Sequence, residues 1–211
     1  MNVGKSLGDF EDAVTFHGHV CPGLAMGYRV AKTALQLLGV DRPHDEELVA
    51  IVENDTCAVD AIQVMTGCTF GKGNLFFRDH GKQVYTFFNR SSKEGLRISV
   101  KDISYEETEK EKALWQKFSD GDRSPEVVRL IEKMKAAKID RILQANEKDL
   151  LKIEKVSVEP PPEAKIFPSI VCSTCNEKVM ESRIRVRNGK YLCIPCFEKT
   201  FHNTEAQEHV S

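Results

Sequence analysis

Two groups of metal-ligating side chains stand near opposite ends of this chain. Toward the C-terminus, Cys172-Ser-Thr-Cys175 and Cys193-Ile-Pro-Cys196 are CxxC pairs separated by 17 residues. Four thiolates at that spacing can close a tetrahedral zinc site. Between them the alternating run at 184–187 leads to Asn188-Gly189, a favoured hairpin turn, and residues 195–201 read as a helix. Knuckle, hairpin and helix-borne pair describe a treble-clef zinc finger whose helix N-terminus should favour the Cys193 and Cys196 thiolates. The expected metal ligands of this module are Cys172, Cys175, Cys193 and Cys196, and its expected cofactor is zinc.

The second group lies near the N-terminus. His17, His19 and Cys21 alternate, and Pro22 disfavours a helical Cys21, so an extended run to Cys21 would put all three on one side. Cys57 is expected at the start of a helix, where the dipole favours a thiolate, and Asp60 shares its face one turn on. A carboxylate there can hold a histidine tautomer or relay a proton. His17, His19, Cys21 and Cys57 are therefore candidate ligands of a second metal, expected to be zinc, with Cys57 and Asp60 as candidate catalytic residues. The competing account makes the histidines turn caps and leaves Cys21, Cys57 and Cys68 as core side chains.

A glycine-rich stretch, Gly67-Cys-Thr-Phe-Gly-Lys72-Gly-Asn74, resembles a phosphate loop but fails in spacing and lacks the Ser/Thr that would bind magnesium. Its amides, Lys72 and Asn74 could still cradle an anionic cofactor; a plain helix-to-strand turn is the alternative.

The elements that must position these groups follow from periodicity. Leu24, Tyr28, Ala31, Leu35 and Leu38 form a helix stripe ended by Gly39, with Gly23 and Gly27 free to admit another backbone. Residues 48–53 (LVAIVE) read as a buried strand, 75–77 and 83–89 as strands joined by a turn at Asp79 and Gly81, 97–101 as a third strand, and 152–159 as a return strand. Residues 105–150 are helical and expected to cover the sheet. The fold class is α+β, a mixed or antiparallel sheet with covering helices plus the small finger. We divide the chain into a core domain at 1–159, a proline-containing linker at 160–167, the finger at 168–202 and a polar tail at 203–211.

With 211 residues, 41% hydrophobic and 29% charged, the chain can pack one main core and a small module. Its formal net charge of −2 argues against a global field for nucleic acid. Arg183, Arg185 and Arg187 offer a local basic stripe, which a zinc ion with four thiolates offsets. No apolar run reaches membrane-spanning length, and the N-terminus lacks an apolar signal core, so the expected location is cytoplasmic and no membrane partner is expected.

Phe16-His-Gly-His19-Val-Cys-Pro-Gly23 with Gly27-Tyr-Arg29, Cys57-Ala-Val-Asp60-Ala-Ile-Gln63, and Thr66-Gly-Cys-Thr69 through Gly71-Lys-Gly-Asn74 resemble the E-subunit family of formylmethanofuran dehydrogenase. The resemblance covers roughly residues 10–100. It implies a dimeric α+β core with a metal or cofactor pocket lined by the histidines and cysteines. It also implies a protein partner in a molybdenum or tungsten enzyme system, with the finger as an addition found in some members. The leading expectation is a metal-binding accessory or redox-associated protein. The alternatives are a stand-alone zinc enzyme using the core cluster and a metal-responsive regulator whose finger contacts nucleic acid. A homodimer is expected from the family and from the two glycines.

Overall fold

Asp9 starts the first helix, α1 (Phe10–His17), through a capping box in which its carboxylate accepts from the Asp12 N–H and Asp12 returns the bond. Gly18 ends it in the left-handed conformation at φ 89°, with its N–H on the Val14 carbonyl. After only three more residues, Cys21 caps α2 (Pro22–Leu38), its sulfur accepting from the Leu24 N–H at 3.3 Å with Pro22 at the first helical position. The extended run expected through His17 is therefore absent: His17 closes a helix, because the capping box and Gly18 define a complete α1. The computed structural model describes residues 8–102, 108–157 and 159–205.

A five-stranded sheet follows: β1 (Leu48–Val52), β2 (Leu75–Phe77), β3 (Val84–Asn89), β4 (Glu94–Val100) and β5 (Leu151–Val156), in the order β2-β1-β3-β4-β5. Helix α3 (Ala58–Thr66) carries the chain from β1 to β2, which pair in parallel; the remaining pairs are antiparallel. The hairpin expected between 75–77 and 83–89 does not form. The fully buried β1 lies between these strands, as suits a continuous apolar segment, and the hairpin is instead β3–β4. The return strand pairs with β4 and ends at Val156; Val158 lies outside the described residues.

Helix α2 lies over one face of the sheet, where Val30, Ala31 and Ala34 join Ala50, Tyr85, Phe87 and Ile98 in the main core. The helices α4 (Glu109–Ser119) and α5 (Pro125–Gln144) were expected on the sheet, but α5 packs on α2 and α4 packs on α5. Because α2 already occupies the sheet, α5 reaches the core only through Ile139 and Ile142. Arg29 of α2 fixes the far end of α5, donating to the carbonyls of Ile142, Leu143 and Ala145 at 2.6–2.9 Å. Residues 105–107, the start of the expected helical section, lie outside the described residues. A short α6 (Glu147–Leu150) precedes β5.

The chain divides into two units, one ending at Ala164 and one beginning at Lys165. Part of the proline segment belongs to the first: Pro161 accepts from Arg90, and the Ala164 N–H donates to Glu46. The second unit holds the hairpin β6 (Ser169–Val171)–β7 (Lys178–Met180), the hairpin β8 (Arg185–Arg187)–β9 (Lys190–Leu192), and α7 (Ile194–Glu205). Helix α7 runs three residues into the expected tail; residues 206–211 lie outside the described residues. None of the described helices is long and apolar enough to cross a membrane.

Candidate metal centres

In the finger, the four cysteine sulfurs lie within 4.8 Å of one another, and those of Cys175 and Cys193 are 3.9 Å apart. A tetrahedron with Zn–S bonds of about 2.3 Å has S–S edges of about 3.8 Å, so the set fits zinc. The Cys193 N–H donates to the Cys172 sulfur at 3.3 Å, and the Cys196 N–H to the Cys193 sulfur at 3.4 Å. Backbone N–H groups of Cys175, Cys193 and Thr174 bring the Cys172 thiol down to about 6. The Cys193 sulfur and burial push Cys196 up to about 12. Before metal enters, the favoured thiolate is thus on the knuckle, where turn amides converge, and not on the helix-borne pair. The arginine stripe is also broken. Arg183 lies in a 3-10 turn outside β8, and Arg187 donates to Thr200 and stacks on Phe201, 4.6 Å from the ring centroid.

In the core unit, the end of α1, the cap of α2 and the first turn of α3 meet. His17 Nδ1 lies 2.7 Å from Asp60 Oδ2, and His17 Nε2 lies 3.8 Å from the Cys21 sulfur. An ionised carboxylate only accepts, so Nδ1 carries the proton and Nε2 turns its lone pair toward Cys21. The His19 ring stands 4.4 Å from that of His17, and the ligand atoms of His17, His19 and Cys21 all lie within 4.8 Å. Ligands at about 2.0 and 2.3 Å from a tetrahedral zinc would be about 3.5 Å apart, near the observed N–S separation. The donor set suits zinc or another borderline metal, and Asp60 is the supporting carboxylate such a histidine ordinarily has.

Cys57 stands outside that group of three, beside Cys21. It caps α3 without a side-chain cap bond, and burial, the Cys21 thiol and Asp60 push its own thiol up. The backbone bond expected to favour its thiolate is present but outweighed. Cys68 is buried, donates to the Leu48 carbonyl at 3.3 Å and is pushed up to about 11 by burial, which makes it a core side chain. In the glycine-rich loop, Lys72 donates to the Asp45 carbonyl, while buried Asn74 accepts from Thr69 and donates to Leu48. These polar ends are engaged with the chain's own backbone.

The contact between α2 and α3 sets this geometry. A Cβ on Gly27 would lie 2.1 Å from the Ala58 carbonyl oxygen, and one on Gly23 would lie 3.2 Å from the Cys57 Cβ. Both glycines serve a contact within the chain, so they are not evidence for a dimer. Sequence reading named the cluster residues but not the His17–Asp60 pairing, whose members are 43 positions apart. A search for carboxylates able to orient the candidate histidines was the signal that could have found it.

Fold and sites together define a two-part protein: an α+β core with a histidine–cysteine cluster, and a four-cysteine zinc finger. Residues 16–152 match the family described as FmdE, molybdenum formylmethanofuran dehydrogenase operon, and residues 165–200 match the prokaryotic dksA/traR C4-type zinc finger. The chain belongs to the FmdE family and carries a C4-type zinc finger. A relative from Archaeoglobus fulgidus, described as a probable S-adenosyl-L-methionine-binding protein, is 32% identical over 192 residues. That match covers 87% of this chain and 51% of the relative, so the chain spans about half the relative's length. The crystal structure of an FmdE-like protein of tungsten formylmethanofuran dehydrogenase from Syntrophus aciditrophicus shares the fold. The TM-score is 0.60 at 23% identity, over 95% of this chain and 98% of that one.

Proposed function

We propose that His17, His19 and Cys21 hold a second metal, zinc, and that the chain is a metal-dependent accessory protein of a molybdenum or tungsten enzyme system. The observation that carries the reading is the line Asp60–His17–Cys21, with contacts of 2.7 and 3.8 Å. Three protein ligands leave an open position, the pattern of zinc sites that take water or a substrate group. The bound metal would supply Lewis acidity there. Asp60 holds the His17 ring and tautomer, and Cys57 places a second thiol beside Cys21. Exposed Phe16 and Val20 flank the ligands, as suits a site that meets a partner. The family also supports a homodimer, which light scattering at micromolar concentration tests.

Metal analysis decides the core site. Wild type should carry two metals per chain, Cys21→Ser should lose one, and Cys172→Ser should lose the other. A wild-type count of one that disappears with Cys172→Ser overturns the reading. A second reading follows the Archaeoglobus relative, whose similarity across 87% of this chain supports S-adenosyl-L-methionine as a ligand of the core. Its amino and carboxylate groups can occupy an open metal position. Calorimetric titration should then give binding in wild type that Cys21→Ser weakens.

A further inference from the structure

On the core unit, α2, α4 and α5 enclose a groove of about 910 Å³. Its walls are apolar: Met26 from α2, Leu114 and Trp115 from α4, and Leu130 and Met134 from α5. Six basic side chains line it against two acidic ones, Asp102 and Glu111. Lys101 is tied to the Lys148 carbonyl, and Lys135 lies 6.0 Å over Trp115 and 5.4 Å over Phe118. Lys110, Lys133 and Lys138 are exposed and make no salt bridge among the described residues. An apolar floor beneath a rim of unpaired ammonium groups favours one class of occupant, because burying a flat hydrocarbon body and neutralising the rim require both features in one molecule. The volume falls within the roughly 300–1,000 Å³ range of small-molecule sites.

We infer that this groove binds an anionic small molecule with a flat apolar body, an aryl or heteroaryl carboxylate, sulfonate or phosphate, with the body against Trp115 and Met134 and the anion at Lys133 and Lys138. Pro22, which follows Cys21 directly, also lines the groove. The occupant therefore lies beside the cluster proposed above as a metal site. Binding itself does not depend on that metal; only the relation between occupant and metal rests on that reading.

Trp115 is the chain's one tryptophan, so its emission reports on the groove. The probe is 8-anilinonaphthalene-1-sulfonate, compared with N-phenyl-1-naphthylamine, which has the same rings and no sulfonate. The sulfonate should bind one per chain and quench Trp115, and the neutral analogue should bind at least about tenfold more weakly if the lysine rim contributes. Lys133→Glu/Lys138→Glu should weaken the sulfonate by about tenfold or more at low salt, with an unchanged circular dichroism spectrum. If that double variant fails to fold, the exposed single changes Lys110→Gln and Lys133→Gln should each weaken it about two- to fivefold. Equal affinity for the two probes, or unaltered affinity in the folded lysine variants, overturns the inference. Cys21→Ser should bind the sulfonate as wild type does. Loss of probe binding in a chain that retains both metals counts against the groove alone, and loss of the core metal with binding intact counts against the metal reading alone.

Discussion

Gly27→Ala tests whether the core cluster depends on direct backbone contact between α2 and α3. The new Cβ would stand 2.1 Å from the Ala58 carbonyl oxygen, 2.6 Å from its Cα and 2.7 Å from its carbonyl carbon. Ordinary contact begins near 3.4 Å, so the helices must part by about 1.3 Å. Alanine in a helix interior would by itself add roughly 0.5–1 kcal/mol of stability, so any loss must come from packing. Overpacking ordinarily costs about 1–3 kcal/mol when side chains can shift. Here the obstacle is backbone, which places the net loss near about 3 kcal/mol and the fall in Tm at about 6–12 °C for a unit of this size. Because α3 carries Asp60, an unrelaxed shift of that size would stretch the 2.7 Å contact to His17 to about 4 Å, beyond hydrogen-bond range. Thermal unfolding followed by Trp115 emission reads the stability, and metal analysis reads the cluster. Gly71→Ala is the control, since nothing lies within 4 Å of its added Cβ. A Gly27→Ala protein that melts within 2 °C of wild type, about the shift of 1 kcal/mol or less, and keeps its full metal content would refute the argument.

Asp60→Asn should weaken the core metal by about 10–100-fold while leaving the fold intact, because the amide cannot hold the His17 ring as the carboxylate does. Competitive chelation measures this, and unchanged affinity would remove Asp60 from the site. Cys172→Ser should lose one zinc and make residues beyond 165 protease-sensitive while Trp115 emission stays native, since four-thiolate zinc supplies much of a small module's folding free energy. Cys68, raised from 9.0 to about 11 by burial, keeps its proton more tightly folded than unfolded. Its contribution is therefore complete below pH 9 and lost as pH rises from 9 to 11, up to about 2–3 kcal/mol. Urea midpoints for wild type should fall more steeply over that range than for Cys68→Ala, and parallel slopes would show that the thiol does not titrate there.

The finger was legible because its information is local. CxxC spacing sets the ligands, and Asn188 and Gly189, both at positive φ, make the turn their types favour. The core cluster was legible in membership but not in geometry. Alternation of His17, His19 and Cys21 suggested a strand, whereas a helix end, a left-handed glycine and a helix cap bring the same groups together. Strand order was hidden for a different reason: LVAIV announces burial, but nothing within it says which two strands flank it. The role of Gly27 depends on Ala58, and the groove depends on three helices distant in sequence, so neither appears in any short window. Burial of Cys57 likewise follows from α2 lying against α3, which is why a dipole argument for its thiolate misjudged the balance.

The two cysteine groups differ in what holds them before metal arrives. In the finger, the apolar cluster consists of Cys172, Leu192 and Cys193 flanked by Val179, Cys196 and Phe197, so three of its six members are themselves ligands. Such a unit has little apolar surface to bury without its zinc, and metal binding and folding are nearly the same event. His17 and Cys21, by contrast, sit at helix boundaries fixed by a capping box, a left-handed glycine and a close helix contact, all resting on the sheet core. Their positions are set by folding alone, so metal binding there can be spent on chemistry or exchange rather than on stability. An open position on a preorganised site, beside a cationic apolar groove, is the arrangement expected of a centre that handles a ligand, while the closed four-cysteine site keeps the finger folded.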